Sequence, residues 1–126
     1  MTRRKTKNPN LPTEAQAAKF DMLSPMMDSL HQEMREFSKK KQDGIVNPLK
    51  VKMINRLLRD IKELLASDPS VTYLELLDEE TLPQNSDAVL ILGQFRAAMD
   101  QFKSRHHGYD KEEHKHRWFT QENPPY

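Results

Sequence analysis

The sequence predicts an all-α fold: a small helical bundle of three to four main helices with a flexible basic N-terminal arm and an extended C-terminal tail. Three observations predict it. Apolar residues recur three and four positions apart through most of the chain, the period of a helix face. Gly is scarce, at 3 residues, and β-branched residues are few, which disfavours an extensive sheet. Hydrophobic residues make up 36% and charged residues 31% of 126 residues, with a mean hydropathy of −0.88. So thin a core suits a bundle whose remaining apolar surface is buried against copies of itself or a partner.

Residues 1–12, MTRRKTKNPNLP, have no periodicity and read as the flexible basic arm. Residues 13–108 read as a helical oligomerisation domain, and 109–126 as a polar and aromatic tail. Thr13 opens the first helix, with Gln16 placed for a capping box. Phe20, Leu23, Met27, Leu30, Met34 and Phe37 then form a heptad seam. Ser24-Pro25 either caps a second helix or kinks a single one. The lysines of KKKQDG end it, where the helix dipole favours cations.

Asn47-Pro48 is a cap followed by a first-turn Pro, opening a helix to about Ala66. Val51, Ile54, Leu58, Ile61 and Leu65 line its apolar stripe, widened by Met53, Leu57 and Leu64. VTYLELLDEE reads as a short helix. Asn85 or Ser86 caps the last long helix, stopped by Gly108. Its start, Val89 to Leu92, is apolar all round and predicts burial on several sides. Gly93 within it suggests the close approach of another helix.

Composition excludes several classes. The chain has no Cys, so disulfides, thiol chemistry and Cys-based zinc sites are out. No apolar run approaches the ~20 residues of a membrane span, and no secretory signal appears; a cytoplasmic protein is expected. No Gly-rich phosphate loop, activated nucleophile or paired buried acids stand out, so no catalytic residue is assigned. His31, His106, His107, His114 and His116 make only a weak metal pattern. No metal or cofactor is expected.

Charge is segregated along the chain. Arg3, Arg4, Lys5 and Lys7 crowd the first ten residues. Lys39, Lys40, Lys41, Lys50, Lys52, Arg56, Arg59 and Lys62 face only Asp43 and Asp60 between residues 39 and 62. Residues 67–87 hold Asp68, Glu75, Asp78, Glu79, Glu80 and Asp87 with no cation. Lys52, Arg56 and Arg59 share one helical line. A solvated face explains that line alone, but the arm and Lys39–Lys41 beside it raise phosphate contact to an equal reading. The candidate DNA-binding residues are therefore Arg3, Arg4, Lys5, Lys7, Lys39, Lys40, Lys41, Lys52, Arg56 and Arg59.

The apolar seams exceed what a four-helix monomer buries. Leu58, Ile61, Leu65, Leu92, Gly93 and Phe95 are the expected oligomer interface. Trp118, Phe119 and Tyr126 read either as a docking peptide or as aromatics folded onto their own bundle. Ordinary packing is expected for the methionines.

The Pro48-led helix with INRLL (Ile54 to Leu58), the loop LPQNSD and the helix VLILGQFRAAMDQFK (Val89 to Lys103) resemble the small terminase subunit, or DNA maturase A, of short-tailed, autographivirus-type phages. The likeness covers residues 13–113. It implies a homo-oligomeric ring without enzyme activity, acting in the host cytoplasm. Such a ring binds double-stranded viral DNA and regulates the large terminase subunit, which holds the ATPase and nuclease. Many relatives carry an N-terminal helix-turn-helix, and none is evident here. The competing reading is a helical protein-interaction adaptor or inhibitor that binds no nucleic acid.

Overall fold

The computed structural model describes residues 8–125. It contains three long helices, α1 (Glu14–Lys40), α2 (Pro48–Leu64) and α3 (Asn85–His106). A 3-10 turn lies at Pro69–Tyr73, and two short strands follow, β1 (His107–Asp110) and β2 (Lys115–Trp118). The fold is mostly helical, but the hairpin makes it other than all-α.

α1 begins as its sequence dictates. The Thr13 side chain accepts from the Gln16 N–H, and the Gln16 side chain accepts from the Thr13 N–H. Pro25 lies inside one continuous 27-residue helix, on its exposed side. There the carbonyl that loses its N–H partner can turn to water. Phe20, Leu23, Met27 and Met34 are buried along the seam, with Leu30 and Phe37 half-buried.

α2 runs back along α1 after a short loop. Asn47 caps it by accepting from the Lys50 N–H. Val51, Ile54, Leu58, Ile61 and Leu65 are all essentially inaccessible. Met53, expected in the same stripe, is instead 57% exposed. It sits on the side of α2 turned from the core.

The segment after α2 is not the expected helix. Asp68 caps the 3-10 turn, and the chain then runs irregularly to Pro83. Its backbone finds partners in side chains. Buried Asn55 pairs with Leu77, and the Asp78 carboxylate accepts from the Glu80 and Thr81 N–H groups. Leu74 and Leu77 point inward and Asp78, Glu79 and Glu80 outward. The segment thus covers one side of α2 without a helix.

α3 starts one residue earlier than its sequence suggests, with Gln84 as the capping residue and the Asp87 carboxylate accepting from its N–H at 3.4 Å. The apolar opening is not buried all round: Leu90 is 64% exposed, and only Leu92 of the four is fully covered. Gly108 does not stop this helix. The chain turns directly from His106 into β1.

The hairpin straddles the expected boundary between helical domain and tail. It pairs His107 with Trp118 and Asp110 with Lys115. The Asp110 carboxylate accepts from the Glu112 and Glu113 N–H groups, and His114 takes a left-handed φ of 55° to close the turn. Beyond it, the Gln121 N–H donates to the Pro12 carbonyl and its side-chain amide to the Leu11 carbonyl. The last part of the expected arm is thereby fixed to the last part of the expected tail. No helix among the described residues is long and apolar enough to cross a membrane.

Candidate functional site

The lysines of the α1–α2 corner flank the short loop between the two helices. Lys39 and Lys40 end α1, Lys41 caps it, and Lys50 and Lys52 sit in the opening turns of α2. The ammonium of Lys50 lies 3.4 Å from the Phe37 ring centroid and 3.9 Å from the Glu33 carboxylate. That contact holds the start of α2 against the last turns of α1. Lys39 meets Glu36 at 3.3 Å, but its side chain stays 68% exposed. Lys39, Lys40, Lys41 and Lys52 therefore project into solvent at one end of the molecule.

The rest of the predicted basic line divides. Arg59 donates to Glu79 at 2.9 Å, so the chain's own acidic loop satisfies it. Arg56 lies on the wall of an apolar groove. Arg3, Arg4, Lys5 and Lys7, like Tyr126, fall outside the described residues.

The expected oligomer interface needs correction. Leu58, Ile61, Leu65, Leu92 and Phe95 are covered completely by their own chain. A side chain without exposed surface cannot meet a neighbour. Gly93 is half-buried and faces His31 of α1 in the same chain.

The terminal aromatics also fold back on their own bundle. The Trp118 ring meets Phe20 edge-on with centroids 5.0 Å apart, and its indole N–H points at the Asp21 carboxylate. Phe119 lies against Gly108 and under the Arg117 guanidinium. Packing of this kind leaves Trp118 and Phe119 partly buried rather than free to dock.

His31 stands apart on α1, and the other histidines lie at the end of α3 and in the hairpin. His31 faces Gly93, His106 packs on Phe102, and His107 stacks on His116. Burial, helped by nearby Arg35 and Arg96, holds His31 below its ordinary pKa; burial and then Arg105 do the same for His106. The Nδ1 of His106 is buried without a hydrogen-bond partner. Among the described residues no three His, Asp or Glu side chains converge as metal ligands do.

One surface was not anticipated. A groove of about 750 Å³ runs between α1 and α2, lined by Met22, Pro25, Met26, Leu30, Met53 and Leu57. Met22, Met26 and Met53 are each more than half exposed. Ordinary packing accounts for Met27, Met34 and Met99 but not for these three. The signal was present in the spacing: Met22 and Met26 are one turn apart on α1, off its Phe20–Leu23–Met27 seam.

No family model, curated protein or solved structure matches the chain. The functional reading therefore rests on its own residues and on the resemblance noted above.

Proposed function

We propose that this chain is a DNA-packaging component of the small-terminase type. It binds double-stranded viral DNA through backbone phosphates, assembles as a homo-oligomeric ring, and recruits or regulates a large terminase subunit in the host cytoplasm. It performs no chemistry of its own. The observation that carries the reading is the exposed lysine corner, Lys39, Lys40, Lys41 and Lys52, built by the turn between α1 and α2. Compact, exposed cations, of which Lys39 alone meets a carboxylate, that of Glu36, suit phosphate contact, which is tolerant of sequence and steep in salt. The segments that carry the family resemblance lie on α2, on α3 and in the loop that leads into α3.

The test is a binding titration with a DNA duplex at several salt concentrations. Replacing Lys39, Lys40, Lys41 and Lys52 by Ala is expected to weaken binding for every sequence alike. The slope of log affinity against log salt should flatten by up to about 4. Equal affinity and slope in the variant would exclude this corner.

The Met-lined groove favours a second reading, an adaptor that contacts only protein. Absence of DNA binding by the wild-type chain at moderate salt would select it.

A further inference from the structure

Of the eight large hydrophobic residues that the described chain exposes, Met22, Met26 and Met53 line the groove between α1 and α2, and Leu49 lies one turn before Met53 on α2. On α2, Leu49, Met53, Arg56 and Asp60 follow spacings of four, three and four, so they form one outward stripe. Arg56 and Asp60 flank the groove at its α2 side. Among the described residues neither has an ion-pair partner.

We propose that this groove seats a second copy of the same chain, with the two α2 helices antiparallel and Arg56 of each copy facing Asp60 of the other. A cation and an anion one turn apart on an apolar stripe are self-complementary under a twofold axis, the property an isologous interface requires. The Lys50 contacts with Glu33 and Phe37 fix how far α1 and α2 are offset. With that offset, Met26 comes level with the midpoint between Arg56 and Asp60. A twofold axis there lays Met26 on Met26, and Met53 of one copy near Met22 of the other. Flexible thioether side chains fill such a seam well. The four helices, two from each copy, then form a closed antiparallel layer.

An isologous contact closes on itself. It therefore makes a dimer that serves as the unit of any larger ring, and the ring needs a second, different contact. The inference rests on self-association and not on DNA binding: loss of DNA binding leaves it standing, whereas a monomeric chain removes both the dimer and the proposed ring.

The experiment uses the full chain and charge exchange at two positions on the groove wall, exposed Arg56 and half-buried Asp60. Arg56→Glu alone and Asp60→Lys alone each place two like-charge pairs across the axis. Like charges at an interface oppose association strongly. Each variant is expected to fall in mass at least twofold by light scattering, with the dissociation constant of this contact raised at least about tenfold. Mixing the two variants restores both opposite-charge pairs, and a heterodimer is expected to form. Met26→Asp, which buries a charge at the axis, is expected to separate the copies whatever it is mixed with. Far-UV circular dichroism should remain that of the wild type throughout. A monomeric wild-type chain, single variants of unchanged mass, or a mixture that fails to associate would each overturn the proposal.

Discussion

Asn55 and Leu77 are joined by two hydrogen bonds inside the core: the Asn55 amide donates to the Leu77 carbonyl at 2.8 Å, and its carbonyl oxygen accepts from the Leu77 N–H at 2.9 Å. Both residues are buried. One side chain on α2 thus replaces the ladder that the irregular segment lacks. Asn55→Ala leaves a buried N–H and a buried C=O unpaired. It is expected to cost about 2–4 kcal/mol, read as a lowered urea midpoint. Asn55→Asp keeps the acceptor but removes the donor and buries a charge, so it should be at least as damaging. A loss below about 0.5 kcal/mol for Asn55→Ala would show that water reaches Leu77.

Trp118 ties the hairpin to α1. Its ring rests on Phe20 and near Phe102, and its N–H reaches Asp21. Trp118→Ala should lower stability by roughly 2 kcal/mol, less than a fully buried aromatic because the ring is only partly covered. Thermal unfolding followed by helical circular dichroism should then fall by several degrees. An unchanged midpoint would mean that the aromatic tail is free to dock elsewhere.

Much of the helical architecture could be read in the sequence because it is local. The capping box at Thr13, the Asn47-Pro48 start and the heptad seam from Phe20 to Phe37 each depend on residues a few positions apart. What could not be read depends on distant partners. Nothing near VTYLELLDEE reveals that Asn55 will take its backbone bonds, so local pattern suggested a helix. Nothing near Trp118 reveals Phe20. The candidate site divides in the same way. Lys39–Lys41 and Lys52 flank one short loop and can be placed from sequence, whereas Glu79 reaches Arg59 only through the folded loop. The interface residues failed for another reason: apolar periodicity marks a buried face without saying which molecule buries it.

Gly93 offers a test of the close crossing expected from sequence. A Cβ built there would meet His31 at 3.7 Å, ordinary van der Waals contact. Helix propensity then decides the sign, because Gly costs up to about 1 kcal/mol relative to Ala inside a helix. Gly93→Ala should therefore stabilise the protein by up to about 1 kcal/mol. Gly44→Ala should do the reverse, since its Cβ would meet the Asn85 amide at 2.8 Å and Lys41 at 3.3 Å. Asn85 donates to the Lys41 carbonyl at that point, so it cannot yield freely. Paired thermal melts give the two signs.

The hairpin should loosen in acid, through Asp110. The Arg117 Nε donates to its carboxylate at 2.6 Å, and the same guanidinium donates to the carbonyls of Trp118, Asn123 and Pro124. The hydrogen bond from Arg117, followed by that from the Glu113 N–H, lowers the Asp110 pKa below its ordinary value. A carboxyl whose folded pKa is depressed contributes stability above its unfolded value of about 3.9 and loses it as pH falls towards the folded one. Hydrogen exchange at the Gly108 and Arg117 amides should therefore quicken relative to the helices as pH drops below about 4. Asp68 is lowered too, against its own burial, by Ser70 and Arg105. Its partner Arg105 lies two residues before β1, so the comparison with an Asp110 variant is what assigns the response to Asp110. In Asp110→Asn the turn can keep its shape, but the charge that holds Arg117 is gone. The hairpin amides of that variant should already exchange faster at neutral pH and respond little below pH 4. Identical exchange in variant and wild type would place the anchor of the hairpin in the Trp118 packing instead.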